Sequence, residues 1–344
     1  MFLNHGSFGA CPRPVFEEYQ RLQRELERNP VRFLALERQF PAMLDDARRT
    51  LGDYVGAAPD NLVFTPNTSA GLNAVARSLD LAPGDEILLG DCEYGGMEIL
   101  WDRVAQVSGA RLERQPFEAL EPGPRTRVVF CSHVEWSSGR VNDLAPVLAA
   151  ARAAGAISVV DGAHAPGQID LALDELGADA YAGNCHKWLC SPKGAAFLYV
   201  RPELQAQIEP AVVSWDWAPG APFATRHRWQ GTRDPAAYLA VPAAIAFQAE
   251  HDWASVRREC RQLLASLELP YPPLTDDYVQ MRGFRVDHPN PLELRRSLHE
   301  DHRIEVPVFE TRDGWVLRVS LQGYNDAGDL AALAEAVAEL AQAA

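Results

Sequence analysis

The sequence has little of what marks membrane proteins or nucleic-acid-binding proteins. It carries 32 basic against 47 acidic side chains, a formal net charge of −15, whereas a protein that follows a nucleic-acid backbone needs a basic face. No apolar stretch approaches the roughly 20 residues of a membrane-spanning helix, and no charged-then-apolar leader opens the chain. We therefore expect no nucleic-acid partner and no membrane insertion.

Cysteine is scarce and widely spaced. The six cysteines stand at positions 11, 92, 131, 185, 190 and 260, which is no disulfide framework and fits free thiols in a cytoplasmic protein. Cys185 and Cys190 bracket His186, but the spacing is not CxxC and no second pair follows, so we expect no metal. No GxGxxG follows the first predicted strand, which leaves a dinucleotide site without support.

The chain does contain an alternation of apolar strands and helical segments. Strands are predicted at about 61–65, 86–90, 127–131, 156–160, 178–182 and 194–200. Helical patterns separate most of them, and helices are also predicted at about 14–28, 31–51 and 235–267, the last with a break near Asp252. This order predicts an α/β fold, with a mainly parallel sheet covered by helices on both faces.

The composition shifts near residue 270. Short strands are predicted at about 278–286, 304–309 and 315–320, followed by a terminal helix from Asp326, a pattern typical of a small α+β domain. The predicted organisation is an N-terminal segment 1–30, a large domain 31–250 and a small C-terminal α+β domain 251–344.

An acid and a lysine follow two neighbouring predicted strands. Asp161 ends the strand at 156–160, and Lys187 lies in the turn after the strand at 178–182. Strand ends are where ligands bind in α/β sheets. There an amine can form a Schiff base with an aldehyde cofactor, and an acid can hold a pyridinium nitrogen protonated. The alternative is an acid in an Asp-Gly turn and a lysine at the surface.

Three weaker signals accompany this pair. Thr68 and Ser69 open a predicted helix, where backbone N–H groups attract phosphate, although an ordinary N-cap has the same appearance. Tyr94 falls just beyond a strand end, where it is either structural or stacked on a planar ring. The histidine, asparagine and glycine content of residues 2–10 either packs the N-terminus or lines a site.

Motifs in a fixed order run through nearly the whole chain. They are LNHGSFG (3–9), NPVRF (29–33), VDGAHAPG (160–167), HKW (186–188), GTRDP (231–235), RVS (318–320) and YN (324–325). This set resembles the class V aminotransferase family of fold-type I pyridoxal phosphate (PLP) enzymes. Within that family it is most similar to the isopenicillin N epimerase-like branch, and it also resembles the ergothioneine-pathway C–S lyases.

The resemblance implies PLP as cofactor and a role for each matching residue. Lys187 would form the Schiff base and carry the substrate's α-proton, and Asp161 would pair with the pyridinium nitrogen. His164 would contact the ring oxygen, and Tyr94 would stack on the ring. The residues implied at the phosphate are Thr68, Ser69, Asn184, His186 and, reaching from the partner subunit of a homodimer, Thr232.

The resemblance also implies a carboxylate clamp at Arg318, because a guanidinium binds a carboxylate with two parallel hydrogen bonds. Sequence alternation puts Arg318 on a mixed strand face, so a solvated arginine is the alternative. The further residues expected at the substrate are Asn4, His5, Trp136 and Arg233. Trp136 stands where many relatives have an asparagine, and its indole accepts no hydrogen bond.

The sequence leaves the reaction open. An epimerase needs proton delivery on both faces of the α-carbon, and Lys187 serves only one of them. A C–S lyase needs α-proton abstraction and a leaving group. A cysteine desulfurase uses a cysteine nucleophile before the carboxylate-binding arginine, whereas residues 261–318 contain none.

We interpret the chain as a PLP-dependent enzyme acting at the α-carbon of an amino acid. The reaction would be isopenicillin N epimerase-like or C–S lyase-like, the latter by β-elimination from a cysteine-derived substrate or sulfoxide. The alternatives are a class V aminotransferase and a non-catalytic PLP-binding or interaction protein on this fold. The retained Lys187, Asp161 and Arg318 count against a non-catalytic role.

Overall fold

A computed structural model describes residues 1–342. These residues divide into two compact units. The larger unit comprises Ala10–His133 and Asn142–Gln248, and the smaller comprises Met1–Gly9, Val134–Val141 and the chain from Ala249 onward. The predicted boundaries at residues 30 and 250 stay a prediction. Within the described range, no helix has the length and apolarity needed to cross a bilayer.

Fifteen α-helices and ten strands occur between residues 1 and 342. The helices are α1 (His5–Phe8), α2 (Arg13–Arg28), α3 (Pro30–Leu34), α4 (Phe40–Val55), α5 (Thr68–Ser78), α6 (Gly95–Ser108), α7 (Leu144–Ala154), α8 (Leu173–Leu176), α9 (Pro202–Gln205), α10 (Phe223–Arg228), α11 (Ala236–Leu239), α12 (Val241–Glu250), α13 (Trp253–Ala265), α14 (Pro291–Glu300) and α15 (Ala327–Gln342). The strands are β1 (Leu62–Thr65), β2 (Glu86–Gly90), β3 (Arg111–Gln115), β4 (Thr126–Ser132), β5 (Ile157–Asp161), β6 (Ala180–Asn184), β7 (Ala196–Val200), β8 (Met281–Val286), β9 (Val308–Thr311) and β10 (Gly314–Ser320).

The larger unit is built on a seven-stranded sheet in the order β1-β7-β6-β5-β4-β2-β3. The pairings β2–β3, β2–β4, β4–β5 and β5–β6 are parallel, whereas β7 runs antiparallel to both of its neighbours. β6 and β7 are buried along their whole length, as expected of strands covered on both faces. The predicted α/β class with a mainly parallel sheet is confirmed.

The smaller unit has an antiparallel sheet in the order β8-β10-β9. One apolar cluster fills it, to which Leu3 of the N-terminal segment, Leu264 of α13, Leu298 of α14, Leu317 of β10 and Leu333 of α15 contribute. The predicted α+β character of the C-terminal region is confirmed. The N-terminal segment belongs to this unit because it is bonded to it through the backbone. Leu3 N–H donates to the Glu305 carbonyl, and Ser320 N–H donates to the Leu3 carbonyl.

Several predicted elements were wrong. The helix expected over 31–51 is two helices, α3 and α4, since the chain leaves helical geometry at Ala35. Strand β3 was missed because its sequence, RLERQ, is polar and only half-buried at the sheet edge. The strand expected at 304–309 begins at Val308, and α10 lies in a region where no helix was predicted.

Candidate active site

The carboxyl ends of three parallel strands place polar side chains at one edge of the larger sheet. Ser132 of β4 lies opposite Asp161 of β5 in the register, and Asp161 lies opposite Ala182, two residues before Asn184. This edge is where ligands bind in open α/β sheets. The turn after β6 then carries His186 and Lys187, so most of the predicted cofactor residues of the larger unit start from this edge.

Asp161 is a buried carboxylate. Its Oδ1 accepts a hydrogen bond of 2.8 Å from Ala163 N–H, which fixes the side chain over the turn that follows β5. Burial raises the pKa of Asp161, and the Ala163 hydrogen bond and the Lys187 charge act in the opposite direction. Asp161 does begin an Asp-Gly turn, as the alternative has it, but its carboxylate is buried. A cation such as a protonated ring nitrogen would stabilise the ionised carboxylate.

Lys187 lies beside His164. The Nζ of Lys187 is 3.1 Å from His164 Nε2, and the indole Nε1–H of Trp188 donates to His164 Nδ1 at 3.1 Å. Trp188 is fully buried and Lys187 is half-buried. The turn is closed by backbone bonds, since Cys185 N–H and His186 N–H both donate to Ala195. The lysine is thus fixed against an imidazole rather than extended into solvent.

The predicted phosphate site is the start of α5. Thr68 N–H donates to Asn184 Oδ1 at 3.0 Å, so the end of β6 holds the helix start in place. Asn67 caps the helix by accepting from Ala70 N–H. The Thr68 hydroxyl is buried and makes no hydrogen bond within residues 1–342, and Ser69 is half-buried. A buried hydroxyl without a partner is costly unless a ligand supplies one.

His186 lies in the same turn and is held by its own backbone environment. Its Nδ1 lies 3.1 Å from the Ala195 carbonyl, which fixes the proton on Nδ1. Burial lowers the pKa of His186 to about 4, with the positive charges of Lys187 and Lys193 acting in the same direction. A bound phosphate would supply the negative charge that favours a second proton on Nε2.

Tyr94 is 47% exposed and immediately precedes α6. A Cβ at Gly96 would lie 2.7 Å from Tyr94 Cε1, so the glycine makes room for the ring. The preceding residue, Glu93, is buried and accepts from Ser132 N–H at 3.0 Å and from Ser132 Oγ–H at 2.5 Å. These bonds attach the loop that carries Tyr94 to the end of β4.

Arg318, in the smaller unit, is a buried cation with an exposed fraction of 4%. Its Nη1 donates to the Trp136 carbonyl at 2.6 Å and its Nη2 donates to Ser7 Oγ at 3.1 Å. Nε has no partner in the described chain, and no carboxylate there forms an ion pair with this guanidinium. Burial lowers the pKa of Arg318 to about 10, so it remains charged at neutral pH. The solvated-strand alternative is wrong, and a bound anion would stabilise this buried charge.

The other predicted substrate residues of the smaller unit surround Arg318 or support it. Asn4 accepts from Ser7 Oγ–H at 2.5 Å and donates to Glu305 at 3.1 Å. His5 is fully buried, with Nδ1 3.0 Å from the Tyr324 hydroxyl. The Trp136 ring stacks on Phe309, with ring centroids 4.5 Å apart. Trp136 thus contributes a carbonyl to Arg318 and its ring to an aromatic pair.

Thr232 and Arg233 lie in the loop that leads to α11. Thr232 is exposed, and the Arg233 guanidinium lies 4.9 Å above the Tyr238 ring, which is a cation–π contact. Neither side chain belongs to the strand-edge group around Lys187. Their predicted roles at a cofactor and substrate stay predictions.

The donor set of the larger unit fits PLP. Lys187 offers an amine for its aldehyde, Asp161 a carboxylate for its ring nitrogen, and Thr68 a buried hydroxyl that lacks a partner for its phosphate. No group of three metal-ligating side chains occurs between residues 1 and 342. All six cysteines are free thiols.

Sequence reasoning missed the side chains that hold these groups in place. Three of them are hydrogen-bonded pairs: Ser7 accepts from Arg318, Glu93 accepts from Ser132, and Trp188 donates to His164. The fourth is Tyr181, whose hydroxyl lies 3.0 Å from His133 Nδ1. Only Trp188 carried a usable signal. It directly follows Lys187, and a buried indole N–H usually finds an acceptor.

Comparisons with known proteins agree with PLP as the cofactor. Residues 3–269 match the family model described as aminotransferase class-V. The isopenicillin N epimerase of Amycolatopsis lactamdurans is 38% identical, over 99% of this chain and 95% of the relative. That of Streptomyces clavuligerus is also 38% identical, over 97% and 93%.

A solved structure of C-DES, named as a cystine C–S lyase in complex with its product cysteine persulfide, superimposes with a TM-score of 0.84. It is 25% identical and covers 98% of this chain and 97% of C-DES. A mutant of C-DES, with glycine covalently linked to its PLP cofactor, gives a TM-score of 0.85. The chain belongs to the class V aminotransferase family of PLP-dependent enzymes.

Proposed function

We propose that this protein removes the α-hydrogen of an amino acid with Lys187 and returns a proton to the opposite face, as an epimerase does. The observation that carries the proposal is the contact between Lys187 Nζ and His164 Nε2 beside the buried Asp161 carboxylate. The 38% identity to two isopenicillin N epimerases, along nearly the whole chain, supports this choice of reaction.

Each residue has a distinct part in the proposed reaction. PLP, when bound, withdraws electrons from the α-carbon and so acidifies its hydrogen. Asp161 would hold the ring nitrogen protonated, and Lys187 would accept the α-proton on one face of the α-carbon. A second donor, either a side chain or water, would deliver the proton to the opposite face. Thr68, Ser69, Asn184 and His186 would hold the phosphate, and Tyr94 would stack on the ring.

The substrate would be an α-amino acid with a free carboxylate. Arg318 is a buried guanidinium that lacks an anionic partner within residues 1–342, and a substrate carboxylate is the proposed partner. Asn4 and His5 hold the α1 turn that brings Ser7 to Arg318, and Trp136 provides an aromatic surface. Arg233 is the second candidate cation of the substrate site.

Deuterium exchange tests this proposal. The purified protein, loaded with PLP, is incubated in deuterium oxide with a panel of L-amino acids. The panel includes peptides in which one residue keeps both a free α-amino group and a free α-carboxylate. We expect deuterium at the α-carbon and, by chiral chromatography, accumulation of the opposite configuration. Exchange without inversion would refute epimerisation, and the absence of any exchange across the panel would refute α-proton chemistry.

A C–S lyase is the second candidate. The fold likeness to C-DES, at a TM-score of 0.84 and 25% identity, favours it. The same incubation with cystine, cysteine and cysteine sulfoxides would then yield pyruvate together with a sulfur product. Release of pyruvate without inversion of any amino acid would select this candidate over the epimerase.

We also propose a cytoplasmic homodimer with shared sites. Thr232 would reach the cofactor phosphate of the partner subunit, and the exposed Val213 and Trp215 of the same loop region offer apolar surface for a second copy. Sedimentation at assay concentration should give twice the monomer mass. A fully active monomer would refute the shared site.

A further inference from the structure

The indole of Trp188 decides where the proton of His164 lies. An indole N–H only donates, so His164 Nδ1, which lies 3.1 Å from Trp188 Nε1, must be the acceptor. A neutral imidazole carries a single ring proton, which therefore lies on Nε2. A protonated imidazole would point a second N–H at the indole N–H, and that contact is repulsive.

The Nε2–H of His164 in turn faces Lys187. The two nitrogens are 3.1 Å apart. An ammonium group has three donors and no lone pair, whereas a neutral amine can accept from Nε2–H. The direction of the hydrogen bond from Trp188 to His164 therefore favours the neutral, nucleophilic form of Lys187.

We propose that Trp188 is a positioning residue that fixes His164 as the Nε2–H tautomer, so that His164 donates to the neutral Lys187 amine. The inference rests on the proposed function only in taking Lys187 as the reacting amine.

The surrounding contacts keep this arrangement rigid. Trp188 has an exposed fraction of 0%, and its carbonyl accepts from Gln248 Nε2–H at 2.8 Å. Gln248 itself accepts from the Tyr54 hydroxyl at 2.8 Å. The His164 carbonyl accepts from Gln168 Nε2–H at 2.7 Å. The backbones of both residues are therefore held by side-chain amides, which fixes the points from which the indole and the imidazole extend.

The close packing of one turn adds to this rigidity. A Cβ placed on Gly167 would lie 2.2 Å from the Trp188 carbonyl oxygen, and Gly167 has a φ of +93°. Only glycine combines that backbone conformation with that approach. The turn after His164 is thus shaped to lie directly on Trp188.

Nitrogen NMR of the full-length protein, labelled with ¹⁵N in histidine, reads the tautomer directly. The His164 signals are assigned by their absence from the His164→Gln spectrum. We expect the wild type, before PLP is added, to show an unprotonated Nδ1 and a protonated Nε2. A protonated Nδ1 would overturn the proposal, and this reading needs no substitution at Trp188.

Trp188→Phe keeps an aromatic ring and removes the N–H. Since a net hydrogen bond contributes about 0.5–1.5 kcal/mol, the ratio of the two His164 tautomers should move toward Nδ1–H by up to about tenfold. Trp101→Phe is the matched control, because Trp101 is also fully buried in the larger unit and its Nε1 has no hydrogen-bond partner within residues 1–342. An unchanged tautomer ratio in Trp188→Phe would overturn the proposal.

A second measurement follows the lysine. PLP is added to each variant, the adduct is trapped with borohydride at intervals, and the labelled lysine is identified by mass spectrometry. Labelling of Lys187 should be slower by up to about tenfold in Trp188→Phe and unchanged in Trp101→Phe. Equal rates in all three proteins would contradict the effect on the amine. Labelling away from Lys187 would instead refute the proposed function, while the tautomer result would stand.

Discussion

Ser7 and Arg318 stand 311 positions apart in the sequence, and the Ser7 hydroxyl lies 3.1 Å from Arg318 Nη2. With the Trp136 carbonyl it provides two polar contacts to a guanidinium that has no carboxylate partner within residues 1–342. Two neutral acceptors solvate the cation without neutralising it. A bound anion would neutralise Arg318, which is the basis of the first prediction.

Arg318→Lys should leave PLP binding intact and weaken amino-acid turnover by about 100-fold. An ammonium cannot form the two parallel bonds of a guanidinium to a carboxylate, and loss of a charged hydrogen bond costs about 1.5–3 kcal/mol. Steady-state kinetics with the amino acid and with its decarboxylated amine check this, since the amine should lose nothing. Arg282→Lys is the control, because Arg282 is also held in the sheet of the smaller unit, above Tyr278. Wild-type kinetics in Arg318→Lys would place the carboxylate elsewhere.

The identity of the Schiff-base lysine can be tested completely, because Lys187 and Lys193 are the only two lysines in the sequence. Lys187→Ala should give no borohydride-reducible adduct with PLP, whereas Lys193→Ala should keep one. Mass spectrometry of the reduced protein reads both variants. A reducible adduct that persists in Lys187→Ala and vanishes in Lys193→Ala would reverse the assignment.

Thr68→Val should separate cofactor binding from folding. The Thr68 hydroxyl is buried without a partner within residues 1–342, so its removal should leave the free energy of unfolding of the PLP-free protein unchanged or slightly higher. Affinity for PLP should fall by about tenfold, as expected for one lost charge-assisted hydrogen bond.

Thr126→Val is the matched control for Thr68→Val. Its hydroxyl donates to Glu86 and accepts from Gly123 N–H, so this variant should lose stability without losing PLP affinity. Chemical denaturation and PLP titration measure the two quantities. Equal PLP affinity in Thr68→Val and the wild type would remove Thr68 from the phosphate site.

Asp161→Asn should keep the fold and bind PLP, but slow α-hydrogen exchange by orders of magnitude. The amide can still accept from Ala163 N–H, yet it carries no charge to hold a ring nitrogen protonated. Asp179→Asn is the control, since Asp179 is a buried carboxylate bonded to Ser158 just before β6. It should lose stability and retain exchange. Near wild-type exchange in Asp161→Asn would exclude Asp161 from the mechanism.

Acid should destabilise the PLP-free protein between about pH 6.5 and 4. The pKa values of His133, His186 and His227 are lowered from an ordinary 6.5 to about 4, mainly because the side chains are buried. The unfolded chain therefore binds protons first as the pH falls, and stability present above pH 6.5 is lost through this window. Each histidine contributes on the order of 1–3 kcal/mol.

Denaturation midpoints measured at intervals between pH 7 and 4 check this prediction. His227→Gln should show a shallower decline than the wild type, because one of the three groups is removed. His302→Gln, at a half-buried histidine in the smaller unit, serves as the comparison. An equally steep decline in the wild type and in His227→Gln would contradict the prediction, because groups other than His227 would then cause the loss of stability at acid pH.

The strands of the larger sheet follow from local sequence, because apolar runs bounded by turn residues describe a strand buried on both faces. β2 was predicted at its observed bounds, and β5 and β6 within two residues. β3 could not be predicted in this way, since an edge strand needs no continuous apolar run. The break between α3 and α4 did have a local signal, since Pro41 lies in the first turn of α4 and proline is favoured only at the start of a helix.

Local sequence also placed Asp161 and Lys187 at strand ends, and the order of motifs indicated PLP chemistry. What it could not give is which groups lie within hydrogen-bond reach. The alternation of side chains along the strand did not decide whether Arg318 faces solvent or a binding site. Only the tertiary structure shows that it is buried beside Ser7. The pairing of Trp188 with His164 likewise depends on how two turns pack. Periodicity reports which face of an element is apolar, whereas the contacts of a polar side chain depend on chain segments far away in the sequence.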